Sequence, residues 1–96
     1  MRKKQALELL RSHKAELSER FGVIDLALFG STARNVAGKD SDVDILVSFD
    51  GPAVSKRYFG VQFYLEDLFG CPVDLVTDKA LRPELRSYVE QEAIHV

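Results

Sequence analysis

Between Gly22 and Gly30 lie seven residues, Val23 to Phe29, all apolar except Asp25. A short apolar run bounded by glycines reads as a β-strand buried on both faces. Such a strand cannot lie on a surface. It has to sit inside a sheet, with other elements packed against it.

The flanking segments supply those elements. Residues 3–20 read as a helix, because Leu7, Leu10, Leu17 and Phe21 form an apolar stripe and Gly22 stops it. Residues 42–49 alternate: Val43, Ile45, Val47 and Phe49 point one way, Asp42, Asp44, Leu46 and Ser48 the other. That is a second strand, ended by Asp50-Gly51-Pro52. Residues 55–69 fit a helical stripe through Tyr58, Val61, Leu65 and Leu68, and their length favours a helix over a strand. Val73 to Thr77 is a third strand, and Pro83 suits the first turn of a last helix running to about Ile94. The order predicts an α/β (α+β) chain: a single mixed β-sheet with helices packed against it.

Size narrows the function. A chain of 96 residues has room for one domain, taken as 1–96, and none for a separate substrate domain. Thirteen Lys and Arg against fifteen Asp and Glu give a net charge of −2, so a broad positive field for nucleic acid is absent. The lone Cys71 excludes an internal disulfide framework and a cysteine-based zinc cluster. Met1 to Arg20 is charged throughout and does not read as a signal peptide; no apolar run reaches the ~20 residues needed to span a bilayer. A soluble cytoplasmic protein is expected.

The chemistry concentrates in Gly30-Ser31-Thr32-Ala33-Arg34 and Ser41-Asp42-Val43-Asp44. Asp42 and Asp44 are two apart on a strand, so their carboxylates share a face roughly 6–7 Å apart. Ionised side chains that close repel, and hard divalent cations resolve the repulsion. Two Mg2+ ions on shared carboxylates suit in-line displacement at phosphorus. Asp74 is the candidate third carboxylate: if 73–77 pairs beside 42–49, it arrives next to Asp44 and could accept the proton of an attacking hydroxyl. Gly30 lets backbone approach a phosphate, Ser31 reads as the N-cap of a short helix through Arg34, and its hydroxyl can donate one more bond. Arg34 could reach a phosphate or pair with a carboxylate.

The pattern Gly-Ser-x-x-Arg, a short loop 35–41, Ser-Asp-x-Asp-Ile and a later Asp on a strand resembles the DNA polymerase β-type nucleotidyltransferase superfamily. The small size resembles its minimal nucleotidyltransferases, the antitoxin partners of HEPN-domain toxins. The resemblance runs from about Phe21 to Thr77, with a similar ending in Arg82-Pro83-Glu84-Leu85-Arg86 through Ala93. It implies metal-binding and catalytic roles for Asp42, Asp44 and Asp74, and nucleotide-binding roles for Gly30 and Ser31, to which Arg34 and Ser41 are added. It also implies AMP transfer from ATP to a hydroxyl, in some members a tyrosine of the cognate toxin. Where such proteins often carry glycine or an acid after the motif arginine, this chain has Asn35.

The remaining polar residues read as structural. Asp25, Asp40 and Asp78 are taken as solvated, His13 and His95 as structural, and Cys71 as a core or turn residue. Tyr58, Phe59, Phe63, Tyr64 and Phe69 exceed what one helix can bury, and the surplus is a candidate partner surface. Two rival functions stay open: an antitoxin that neutralises by occlusion without chemistry, and nucleotidyl transfer to a nucleic acid or small molecule with a partner subunit.

Overall fold

The computed structural model describes residues 1–36, 38 and 42–96. In chain order the elements are α1 (Lys3–Phe21), β1 (Val23–Phe29), α2 (Gly30–Ala33), β2 (Val43–Phe49), α3 (Ser55–Phe69), β3 (Val73–Thr77), a 3-10 turn (Asp78–Ala80), α4 (Pro83–Glu92) and β4 (Ile94–His95). They form a mixed sheet in the order β3-β2-β1-β4. β1 runs antiparallel to both β2 and β4, while β2 and β3 are parallel and α3 makes the crossover between them.

The apolar stripe of α1 is the inner layer of the core. Ala6, Leu7, Leu10 and Leu17 join Val61, Leu65 and Phe69 of α3 over one face of the sheet, on Leu26, Leu28, Val43, Ile45, Val47, Val73 and Leu75. Both helices end where glycine adopts a left-handed conformation, Gly22 at φ 75° and Gly70 at φ 70°. The opposite face carries a smaller cluster, Ala27, Leu46 and Val89, with Phe29, Val76, Leu81 and Ala93 against it. β1 is thus covered on both sides, as its composition requires, but only in its later half. Ile24 is 58% exposed and belongs to neither cluster.

β3 lies at the edge of the sheet, where unpaired backbone groups need cover. Side chains on one stripe of α3 provide it. The Tyr58 hydroxyl donates to the Leu75 carbonyl, Gln62 Nε2 donates to the Val73 carbonyl, and Glu66 Oε2 accepts from the Val73 N–H. Tyr58 is therefore more than core filling: it helps hold the edge strand in register beside β2.

The C-terminus departs from expectation. The last helix stops at Glu92 and does not reach Ile94. Ala93 is extended, at φ −68° and ψ 137°, and Ile94 and His95 pair with Leu28 and Ala27 of β1. The open edge of β1 offers hydrogen bonds that outcompete one more helical turn. His95 Nδ1 meets Asp25 Oδ2 at 2.8 Å, so these two residues pair across strands. No helix among the described residues is long and apolar enough to cross a membrane.

Candidate active site

The sheet register brings the predicted acids together. Phe29 faces Asp44 across the antiparallel pair, and Asp44 faces Asp74 across the parallel pair. Asp44 and Asp74 share their face with Leu46 and Val76, the face that α4 covers only in part. Asp74 is exposed and Asp44 half-buried; Asp42 precedes β2 and is exposed. Ser41, the remaining predicted ligand of the nucleotide, lies outside the described residues, as does Asp40.

The environment of Asp44 is unusual for a carboxylate. Its pKa is pushed up to about 6, first by burial and then by the charge of Asp74, a hydrogen bond to Asp74 and the charge of Asp42. The positive charge of Arg34 acts in the opposite direction. Two acids placed so that they oppose the ionisation of Asp44 have little structural purpose in a sheet, and positive charge brought to Asp44 relieves that opposition. Among the described residues no three His, Cys, Asp or Glu side chains form a finished metal site. The donor set nevertheless fits a hard cation: the groups are carboxylate oxygens, and the most buried of them is the one whose ionisation is held back.

Gly30 completes the geometry. It follows the last residue of β1, in a left-handed conformation at φ 72°. A Cβ placed on it would lie 2.0 Å from Asp44 Oδ2 and 2.8 Å from its Cγ, so the carboxylate occupies the space that glycine leaves. The short α2 then starts at Gly30 itself. Ser31 is accordingly not its N-cap: the cap is Phe29, which makes no side-chain bond, and Ser31 lies inside the turn. Arg34 ends the turn and Asn35 follows at φ 59°, a left-handed position that glycine or asparagine tolerates.

Arg34 resolves toward the carboxylate pairing. Its Nη1 donates to Glu92 Oε1 at 2.7 Å, and the Gly30 N–H donates to the same oxygen at 2.6 Å. Sequence reasoning did not find Glu92. Its partners lie 62 and 58 residues away, and nothing in its neighbourhood along α4 marks it.

The other polar residues stay outside this cluster. His13 Nδ1 bonds the Tyr64 hydroxyl at 2.7 Å on the opposite side of the core, where Arg20 lies over the Phe21 and Tyr64 rings. Phe59 and Phe63 stack at 6.2 Å and are exposed, as the surplus of aromatics on α3 predicts.

Known proteins resemble this chain in sequence and in fold. A model of the family described as nucleotidyltransferase domain matches residues 10–96. The protein adenylyltransferase MntA of Thermococcus cleftensis is 42% identical over 88 residues, covering 92% of this chain and 89% of that one. A structure solved as that of a minimal nucleotidyltransferase superposes with a TM-score of 0.82 at 36% identity, over 98% of this chain and 95% of the other. A chain from the complex of the tri-AMPylated Shewanella oneidensis HEPN toxin with its MNT antitoxin has a TM-score of 0.61 at 19% identity, over 97% of this chain and 66% of that one. This last likeness is one of fold.

Proposed function

Because the chain belongs to the nucleotidyltransferase domain family, we propose that it is an antitoxin that transfers AMP from ATP to a tyrosine hydroxyl of a HEPN-domain toxin. That it is a nucleotidyltransferase follows from its family and from its relatedness to a protein adenylyltransferase. The observation that carries the reading is the row Phe29, Asp44, Asp74 across adjacent strands, with Gly30 leaving room for the Asp44 carboxylate. The nature of the acceptor is supported by the distant fold relative, whose toxin partner carries AMP.

The reaction is one displacement. The acceptor hydroxyl oxygen forms a bond to the α-phosphorus, the bond from that phosphorus to the bridging oxygen breaks, and pyrophosphate leaves with the electron pair. Asp74, exposed at the edge of the row, accepts the proton of the attacking hydroxyl. Gly30, Ser31 and Ser41 hold the triphosphate, and the half-exposed Arg34 adds positive charge beside it. Asp42, Asp44 and Asp74 are the residues that would hold two Mg2+ ions, which when bound neutralise charge on the phosphates and favour ionisation of the acceptor. On this reading residues 1–96 are one nucleotidyltransferase domain, working in the cytoplasm on a protein and not on nucleic acid.

Labelled nucleotide tests this directly. The chain is incubated with a HEPN-domain toxin, Mg2+ and ATP labelled at either the α- or the γ-phosphate. Label from the α-position is expected on the toxin and label from the γ-position in released pyrophosphate. Transfer of γ-label to the toxin would replace nucleotidyl transfer by phosphoryl transfer.

A further inference from the structure

We propose that Glu92 is a positioning residue of the transfer reaction, fixing the glycine turn and the arginine that face the triphosphate; this rests on the reading of the site as an ATP-binding one. A single oxygen, Oε1, accepts two hydrogen bonds, from the Gly30 backbone at 2.6 Å and from Arg34 Nη1 at 2.7 Å. Both are short and charge-assisted, and their donors lie at opposite ends of the Gly30–Arg34 turn. The Glu92 side chain is only 16% exposed, whereas Arg34 remains 50% exposed. A guanidinium carries five donors in a planar fork. Glu92 engages Nη1, which leaves donors of the half-exposed guanidinium available, and the positive charge of Arg34 acts on Asp44.

The delivery of Glu92 follows from the fold. β4 pairs antiparallel with β1, with His95 opposite Ala27 and Ile94 opposite Leu28. Continued by two residues on each strand, that register puts position 92 opposite position 30. The tail is secured beyond the strand as well: the Val96 N–H donates to the Leu26 carbonyl at 3.0 Å, and Lys14 Nζ donates to the Val96 carbonyl at 2.6 Å. The short β4 therefore acts as a register key. It sets the place of Glu92 relative to Gly30, and Gly30 in turn borders Asp44. One carboxylate on the last helix thereby connects the turn, the arginine and the acid.

The full-length wild type, Glu92→Gln, Glu92→Ala, Arg34→Ala and the double variant Glu92→Gln/Arg34→Ala are compared for ATP Kd by calorimetry with Mg2+, for KM and kcat, and for Tm. Glu92→Gln keeps an acceptor for Gly30 and removes the negative charge that Arg34 pairs with. Its Kd and KM for ATP are expected to rise about 10-fold, with kcat within about 3-fold of wild type. In the Arg34→Ala background the same substitution should change Kd by less than about 2-fold, because its target is gone. Glu92→Ala should weaken ATP further and lower kcat; if it does not fold, Glu92→Gln decides. A lowered Tm with Kd and KM unchanged in Glu92→Gln would make the contact structural only and overturn the proposal. Tighter ATP binding in Glu92→Gln would also overturn it, by making the carboxylate an occupant that substrate displaces. If the wild type binds ATP but transfers nothing, the functional reading fails while the Kd comparison still decides for Glu92. A wild type that does not bind ATP overturns both.

Discussion

Asp44→Asn is expected to lower AMP transfer by about 10²–10³-fold or more while making the nucleotide- and metal-free chain more stable. The first effect follows from its place in the row, between the glycine turn and Asp74. The second follows from the rise of its pKa from 3.8 to about 6, caused first by burial and then by the neighbouring acids. In the folded chain the ionised form is disfavoured, so between these two values the native state holds a proton that the unfolded state has released. The penalty is absent below about pH 4, grows as pH rises, and is complete above about pH 6. Because the group is only half-buried and solvent screens it in part, the gain in Asp44→Asn at pH 8 should be about 1–2 kcal/mol and not the full value of the shift. Denaturant unfolding in EDTA at pH 4 and pH 8 measures it. A variant equally active at matched Mg2+, or one no more stable than wild type at pH 8, would contradict this account of Asp44.

Gly30→Ala combines two effects that a second glycine separates. Gly30 and Gly70 have nearly the same left-handed φ, 72° and 70°. A Cβ at Gly70 meets nothing within 4 Å, whereas at Gly30 it would lie 2.0 Å from Asp44 Oδ2. Gly70→Ala should therefore show only the backbone cost, about 1–2 kcal/mol, with kcat unchanged for the folded fraction. Gly30→Ala carries the same cost and displaces the Asp44 carboxylate as well. A shift of about 1 Å at a reacting centre lowers rates by about 10²-fold, and transfer by Gly30→Ala should fall at least that far. Similar kcat values for the two variants would remove the close approach of Gly30 and Asp44 from the account.

Much of this site was legible in the sequence because it depends on local pattern. The alternation of 42–49 set Asp44 on the face opposite Val43 and Ile45, Asp42 falls just before the strand, and β3 came to lie beside β2 with Asp74 opposite Asp44. The apolar run 23–29 demanded cover on both faces and largely received it, with Ile24 the exposed exception. What was not legible depends on pairing between distant segments. A two-residue strand such as Ile94–His95 has no period, and an apolar residue there extends a helical stripe equally well. With that strand hidden, so were its consequences: the pairing of His95 with Asp25 and the arrival of Glu92 at Gly30. Arg34 had a phosphate and a carboxylate as partners on sequence grounds, and only the register of β4 identifies the carboxylate as that of Glu92. Tyr58 shows the same limit. Its ring suits a helical core stripe, but its hydroxyl serves a carbonyl on the edge strand, which sequence spacing does not reveal.

The central claim is that this row of acids beside a glycine turn adenylylates a partner protein. Intact-mass spectrometry of the HEPN-domain toxin tests it most directly, after incubation with ATP and Mg2+ and either wild type or Asp44→Asn. The account predicts that the toxin gains the mass of one or more whole AMP groups with wild type and none with Asp44→Asn. An unchanged toxin mass, in a mixture where the two proteins form a stable complex, would contradict it and leave neutralisation by binding alone.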